Sequence, residues 1–310
     1  MTSTREFADV GFHAGELAVQ LAAGVTRDAA RLSRMLEPVA LTGGIARFLR
    51  DRTFLVISGR DASGRLWTSP LVGPPGFLEV LSDTALAVQA MIPAYDPLRG
   101  LAAGQKIGMT AVDFATRRRV RINGTLTVIG GDRLLIEVEQ AYGNCPKYIQ
   151  ERILAPDTLD RDGRDPIRHG DALEPQDREL IRAADTFFLG TANLERGADA
   201  SHRGGPPGIV RVADRGLWWP DYPGNNLFNS FGNLAVSPDT ALLFFDFTTG
   251  RTLHLSGTTE IEWGKPGRPG DDGHTGRIAR FTLQRLVAGH LLPARETTHH
   301  PYARNPALTD

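Results

Sequence analysis

An internal repeat constrains the fold of this chain more than any other feature of its sequence. A Gly-Pro-Pro-Gly turn followed by a strand pattern occurs at 73–80 and again at 205–212. An Asp-Phe pair at 113–114 recurs at 246–247, which is nearly the same offset along the chain. This period is longer than that of stacked repeat proteins. We therefore predict that each copy is a complete folded unit.

Both copies carry the pattern of short antiparallel strands. Apolar runs alternate with turn-forming sequences such as Asp-Ala-Ser-Gly at 61–64 and Gly-Gly-Asp at 130–132. Many short strands separated by such turns predict a barrel or a sandwich. Two equal units in one chain can meet about a pseudo-two-fold axis, as the subunits of a homodimer do, and enclose a cleft between them. The predicted fold is therefore mainly β, with two β-barrels and peripheral helices.

Changes of pattern along the chain predict five parts. Leucines at near-helical spacing mark the start of the chain as helical, and a run rich in Asp, Arg, Gly and Pro between the copies indicates a surface linker. The parts are an N-terminal helical segment (1–52), a first barrel unit (53–153), a linker and helix (154–184), a second barrel unit (185–292) and a C-terminal tail (293–310).

Three local predictions concern the ends of these parts. Residues 13–16 are expected to start the first helix and to pack it on a barrel. A segment that begins near Pro146 is predicted to be helical. The polar tail that contains His299 and His300 is predicted to be a flexible arm, so a metal site is not expected there.

The composition argues against several classes of function. The 35 Lys and Arg residues nearly balance the 36 Asp and Glu residues, for a formal net charge of -1, whereas proteins that bind nucleic acid carry a basic excess. The single cysteine, Cys145, excludes an intramolecular disulfide and fits a reducing compartment. Neither a secretory signal nor a long apolar run is visible. We therefore expect a cytoplasmic protein with no membrane or nucleic-acid partner.

Four stretches of the sequence resemble the pyridoxamine 5'-phosphate oxidase-like, FMN-binding split-barrel superfamily, and in particular its bacterial branch with two units in tandem. The stretches are residues 12–20, 73–77, 144–149, and 221–226 with 233–234. The resemblance implies two tandem split-barrel units related by pseudo-two-fold symmetry. It also implies that FMN is held at the interface between them.

The resemblance further implies a cofactor site built by both units. Cofactor-facing residues are expected to be Ser201, Arg203, Gly204, Asp221, Gly224, Asn225 and Asn226 of the second unit, with Asn144, Lys147 and Tyr148 of the first. This set suits a dianionic phosphate, because Arg and Lys supply charge-assisted donors and a glycine lets backbone N–H groups approach an anion. Trp219 precedes the loop and is expected either to stack on the flavin ring or to pack in the core.

Two further features of the sequence affect this expectation. Arg119 and Arg121 share one face of a predicted strand. Either they form a clamp for a phosphate or a substrate carboxylate, or they belong to a solvated surface. The sequence also departs from the superfamily, with Leu227 where a basic residue is common, Asn229 where an acid is common and Gly232 where an arginine is common. Fewer cations are therefore expected from this loop, which leaves the retention of FMN open.

The function that the resemblance implies is an FMN-dependent oxidoreductase acting on an unidentified small molecule. Dioxygen or a reduced nicotinamide would be the other redox partner, and no side chain stands out as a catalytic acid or base. One alternative is a redox enzyme with a deazaflavin or another cofactor on the same fold. The other is a non-catalytic protein that binds flavin, haem or a small metabolite. Two chains could also associate as a homodimer.

Overall fold

The first copy of the repeat folds into a seven-stranded antiparallel sheet. The computed structural model describes residues 11–36, 40–156, 166–214 and 216–309. The sheet contains β1 (Phe54–Arg60), β2 (Leu66–Val72), β3 (Leu78–Ser82), β4 (Ala85–Gln89), β5 (Lys106–Asp113), β6 (Arg118–Gly130) and β7 (Arg133–Asn144), and the chain then continues through β8 (Glu151–Pro156) and β9 (Arg168–Gly170). The seven strands pair in the order β2-β1-β5-β6-β7-β4-β3.

The second copy folds into a sheet with the same order of strands. It contains β10 (Thr186–Asn193), β11 (Gly197–Gly204), β12 (Arg211–Ala213), β13 (Gly216–Pro220), β14 (Asp239–Phe245), β15 (Thr252–Trp263) and β16 (Arg277–Gly289). These strands pair in the order β11-β10-β14-β15-β16-β13-β12, and β9 adds to β16. Each strand of the first sheet therefore has a counterpart at the same place in the second. The predicted mainly β fold is confirmed.

Each barrel has its own apolar core, and a third apolar cluster joins the two barrels. Along β1, Leu55 and Ile57 belong to the core of the first barrel, whereas Phe54 and Val56 belong to the joining cluster. That cluster includes Phe188 of β10, whose ring centroid lies 5.8 Å from the ring centroid of Phe54. Because both faces of β1 and β10 are buried, these strands are apolar without the alternation of a half-exposed strand.

Glycines let the two barrels approach closely. A Cβ atom at Gly108 of β5 would lie 2.3 Å from the Cα atom of Asp199 and 2.6 Å from the carbonyl oxygen of Ala198, both in β11. A Cβ atom at Gly190 of β10 would lie 2.2 Å from Oγ1 of Thr68 in β2. The contact between the barrels therefore depends on positions that have no side chain.

Gly108→Ala is expected to lower the free energy of unfolding by about 1–3 kcal/mol, because the added methyl group must push two backbones apart. Gly100→Ala is the matched control, since no atom lies within 4 Å of the place that its Cβ atom would take. Urea denaturation of both variants measures the difference. Equal stability of the two variants would contradict the close contact of the barrels.

Helices lie outside the two sheets. Within the described ranges the α-helices are α1 (Ala14–Ala22), α2 (Thr26–Ala30), α3 (Gly43–Arg50), α4 (Pro175–Ala183) and α5 (Asn229–Val236), and residues Ser33–Leu36 form a short 3-10 helix. The first helix begins directly after its N-cap residue His13, as predicted, and α1 packs against α5. Residues 1–10 and 37–39 of the predicted N-terminal helical segment and residues 157–165 of the predicted linker lie outside the described residues. The boundaries of the five parts stay a prediction.

Two local predictions are wrong. The segment after Pro146 does not form a helix but leads into β8, and the tail is not a flexible arm, since β17 (Ala294–His300) pairs antiparallel with β8. Beyond β17, the side-chain oxygen of Gln150 accepts hydrogen bonds from the backbone N–H of Tyr302 at 2.7 Å and from the amide of Asn305 at 3.0 Å. A polar composition is shared by a surface strand and a disordered arm, so composition could not distinguish the two.

Candidate functional site

A cleft lies between the two barrels, and both barrels contribute to its wall. Nine of the residues predicted from the sequence line it: Arg119, Arg121, Asn144, Ser201, Arg203, Asp221, Gly224, Asn225 and Asn226. The side-chain amide of Asn225 donates a hydrogen bond to Oδ1 of Asn144 at 3.4 Å, which joins the loop of the second unit to the end of β7 across the cleft. Residues that are far apart in sequence therefore meet at the boundary between the two barrels, which we call the seam.

Four of the predicted residues lie outside the cleft wall. Trp219 is 2% exposed and packs in the core of the second barrel, with its ring centroid 5.5 Å from that of Phe187. Tyr148 donates a hydrogen bond to the carbonyl oxygen of residue 223 at 3.3 Å, and Gly204 lies against the backbone of Tyr148. Lys147 is exposed. Of the two roles expected for Trp219, core packing is therefore the one that the structure supports.

Arg121 joins the two barrels at the cleft. This β6 side chain is 6% exposed, and its guanidinium lies 3.2 Å from the carboxylate of Asp199 and donates to Oγ of Ser201 at 2.8 Å, both in β11. It also donates to the hydroxyl of Tyr142 at 3.4 Å. Burial would lower the pKa of Arg121, but Asp199 and Tyr142 raise it above its usual range. Arg121 is therefore charged and is held by Asp199, Ser201 and Tyr142.

Arg119 is held by neutral acceptors rather than by a carboxylate. Its guanidinium donates to the carbonyl oxygen of His202 at 3.0 Å and lies 2.9 Å from Nδ1 of the same residue. Burial and nearby arginines hold the pKa of His202 well below its usual range, so the ring is neutral and Nδ1 accepts from Arg119. Burial, with repulsion from Arg121 and Arg203, lowers the pKa of Arg119 to about 9. Arg119 is therefore a protonated guanidinium at pH 7 whose acceptors on His202 carry no charge.

Arg203 is only loosely paired. Its guanidinium lies 3.6 Å from the carboxylate of Asp221. Arg277 holds the same carboxylate more closely, with two nitrogens at 2.8 Å. The three cleft arginines therefore share two carboxylates, and one of these carboxylates is held mainly by a fourth arginine. This balance leaves the cleft with a positive charge.

The N-terminal turn of α5 forms another side of the cleft. Asn229, Ser230 and Phe231 line the cleft, and no side chain caps the helix. The N-cap residue is Phe228, which has a φ of 60° and a side chain that cannot accept a hydrogen bond. The first N–H groups of a helix lack partners within the helix, and its N-terminus carries a partial positive charge. This turn therefore adds neutral donors to the cationic side chains.

Buried polar atoms without a hydrogen-bond partner gather around the cleft. Within the described part of the chain they include Nε of Arg119, Arg121 and Arg203, Nε2 of His202 and Oγ of Ser230. Nearly all buried polar groups in folded proteins are satisfied. The four nitrogens are donors, and the serine hydroxyl can also donate. This donor set fits an anionic ligand or ordered water.

The duplication places an equivalent position on the other side of the seam, and that position is built differently. His254 of β15 is the counterpart of Arg121 in the other copy, and Ser69 of β2 is the counterpart of Ser201. His254 is fully buried, and burial lowers its pKa, so its ring is neutral at pH 7. Ser69 donates to the buried carboxylate of Asp96 at 2.6 Å. A neutral imidazole and a carboxyl group therefore occupy the place that cations occupy in the cleft.

The cleft is small and partly open to solvent. Its volume is about 90 Å³. Pockets that bury a whole drug-sized ligand measure about 300–1,000 Å³. The cleft is therefore too small to bury a whole drug-sized ligand, and most of such a ligand would lie outside it.

Three observations on the described residues concern a reactive cysteine, a metal site and a membrane span. Cys145 lines the cleft and is the single cysteine of the chain. Across the described ranges, no group of His, Cys, Asp and Glu is arranged to hold a metal ion. The helices of the same ranges are too short or too polar to cross a membrane.

Comparison with known proteins gives matches among solved structures only. No family model and no curated protein matches the sequence. HupZ of Group A Streptococcus is 11% identical, with a TM-score of 0.32, over 41% of this chain and 100% of that one. HutZ, the heme storage protein of Vibrio cholerae, is 16% identical, with a TM-score of 0.30, over 38% and 94%. An FAD-binding protein of Mesorhizobium loti is 11% identical, with a TM-score of 0.28, over 40% and 96%.

Proposed function

We propose that the cleft binds FMN through its phosphate group and that the protein is a flavin-dependent oxidoreductase. The observation that carries the proposal is the meeting of three guanidinium groups, an uncapped helix N-terminus and unpaired donors in one cleft between the barrels. A dianionic phosphate needs several charge-assisted donors, and helix N-termini bind such anions. The resemblance of the cleft loops to the FMN-binding superfamily supports the same ligand.

Arg119 and Arg203 are the cations best suited to the phosphate. Arg119 contacts neutral acceptors, and Arg203 lies 3.6 Å from its carboxylate, so both can turn donors to a ligand. Arg121 would hold Asp199 and Ser201 of β11 in place, while the first N–H groups of α5 would complete the anion site. Cations from β6 would thus replace the basic residue that the second-barrel loop lacks at Leu227.

A bound flavin would supply hydride and electron transfer, chemistry that the amino acid side chains do not provide. The protein itself would hold the phosphate and would offer the side-chain amides of Asn144, Asn225 and Asn226 to polar atoms of the ligand. The substrate would be a small molecule, with dioxygen or a reduced nicotinamide as the second redox partner. A cytoplasmic location and a homodimer stay proposals of the same kind.

The purified protein is expected to bind one FMN per chain and not two, because the counterpart position holds His254 and Asp96 in place of cations. Titration followed by quenching of flavin fluorescence measures the number of sites. Two equal sites, or no uptake of FMN, would contradict the proposal. A haem or deazaflavin spectrum in the purified protein would favour one of the alternatives instead.

A further inference from the structure

A buried carboxyl group lies directly behind the wall of the cleft. Glu16 of α1 is 4% exposed. One of its oxygens accepts a hydrogen bond from the backbone N–H of His13 at 2.9 Å, and the other accepts one from Nδ2 of Asn229 at 2.6 Å. Asn229 is the first residue of α5 and lines the cleft. A single amide side chain therefore separates the Glu16 carboxyl from the cleft.

The helices α1 and α5 touch without intervening side chains. A Cβ atom at Gly15 would lie 2.1 Å from the carbonyl oxygen of Gly232, and a Cβ atom at Gly232 would lie 2.7 Å from the backbone nitrogen of Glu16. Nε2 of His13 lies 3.1 Å from Oδ1 of Asn233, which adds a second polar link between the helices. The position of Glu16 is therefore fixed beside the N-terminal turn of α5.

Few charges compensate for a negative charge on Glu16. The helix α5 carries no charged residue. Burial is the main reason that the pKa of Glu16 is raised to about 7, and burial also lowers the pKa of His13, which is neutral near that pH. The ionisable groups that interact with Glu16 from the strands and their turns are Asp199 in β11, Arg196 in the turn between β10 and β11, Arg121 in β6 and Tyr142 in β7.

We propose that Glu16 is a positioning residue of the cleft that takes up a proton when an anionic ligand binds. The inference rests on the proposed function, because it needs an anion in the cleft. It adds to that function a direct coupling between the ligand and the protonation of a residue on another helix. The coupling would act through Asn229 and the N-terminal turn of α5.

The direction of the coupling follows from the charges. An ionised Glu16 and a bound anion repel each other, and both draw on the same helix N-terminus. Protonation of Glu16 removes this repulsion, so the anion binds most tightly below about pH 7 and less tightly as the pH rises above it. A ligand that prefers the protonated form must be accompanied by proton uptake, because the two equilibria are linked.

Calorimetric titration with FMN at pH 8, in two buffers of different ionisation enthalpy, tests the inference. At this pH a phosphate monoester with a second pKa of about 6 is fully ionised, and most Glu16 is ionised as well. Binding to the wild-type protein is expected to take up about 0.5–0.9 proton per FMN. The Glu16→Gln variant, whose side-chain amide cannot ionise, is expected to take up about 0.1 proton or less per FMN. Glu16→Met serves the same purpose if the Gln variant does not fold.

Glu260→Gln is the matched control, because this glutamate is exposed and should leave the proton uptake unchanged. If FMN binds with the same proton uptake in the wild-type protein and the Glu16 variant, the inference fails while the proposed function stands. If FMN does not bind, the titration is repeated with sulfate, which does not titrate in this range. If sulfate binds with a proton uptake that depends on Glu16, the result supports the inference but not the proposed FMN site. If neither anion binds, both the inference and the proposed function are overturned.

Discussion

Arg119→Gln is expected to weaken FMN binding by about 10- to 150-fold, which corresponds to about 1.5–3 kcal/mol for a lost charge-assisted hydrogen bond. Arg119 is the cleft arginine whose contacts are the neutral groups of His202, so its charge is available to a ligand. The same substitution should not lower the stability of the ligand-free protein. The reason is that Arg121 and Arg203 repel the charge of Arg119, which is half-buried.

Arg118→Gln is the control for this prediction. It removes the same charge from the neighbouring position of β6, but Arg118 is exposed and lies over the ring of Phe48, away from the cleft. Fluorescence titration with FMN should give the wild-type dissociation constant for this variant. Equal weakening by both substitutions would indicate a general effect of charge and would remove Arg119 from the site.

Asp199→Ala is expected to lower the free energy of unfolding by about 3–5 kcal/mol, because it leaves the buried guanidinium of Arg121 without its counter-ion. The side chains of this pair are 4% and 7% exposed, and the two residues come from different barrels. Loss of the pair therefore changes the charge balance of the cleft and also weakens the contact between the two barrels. Urea denaturation measures the change.

Asp239→Ala is the matched control. This aspartate pairs with Arg60 across the same seam at 2.7 Å, but the two side chains are 43% and 33% exposed. Exposed ion pairs contribute less than about 1 kcal/mol. If both substitutions lower the free energy of unfolding by the same amount, the pair of Asp199 and Arg121 is not shielded from solvent as described.

The duplication could be predicted from the sequence because its period is nearly constant. Segments that match at the same spacing throughout the two copies require matching strands, and the two sheets have the same strand order. The alternation of side chains along a strand also placed Arg119 and Arg121 on one face, and both residues line the cleft. Regular local patterns and a long repeat were therefore sufficient for the mainly β fold and for two arginines of the cleft wall, whereas the other predicted wall residues came from the resemblance to the superfamily.

The parts of the site that depend on tertiary packing could not be predicted. The uncapped end of α5 depends on the left-handed conformation of Phe228, which no local pattern indicates. The role of His202 depends on its burial, which keeps the ring neutral. The strand β17 forms because β8 offers a partner edge, which the polar composition of the tail does not reveal.

The buried face of α1 gives another example of this limit. The spacing of Leu17 and Leu21 predicted a helix, yet these leucines are 47% and 75% exposed. The buried face instead carries Glu16, Val19 and Gln20, because the partner helix α5 presents a glycine and polar side chains to it. A helical period identifies a helix, but the surface against which it packs decides which face is buried.

The comparison of FMN with riboflavin tests the central claim most directly, because the two ligands differ only in the phosphate group. If the cationic cleft holds that group through two or more charge-assisted contacts, FMN should bind about 100-fold or more tightly than riboflavin. Fluorescence titration of the same protein sample with each ligand measures the ratio. Equal dissociation constants for FMN and riboflavin would contradict the assignment of the cleft as the phosphate site.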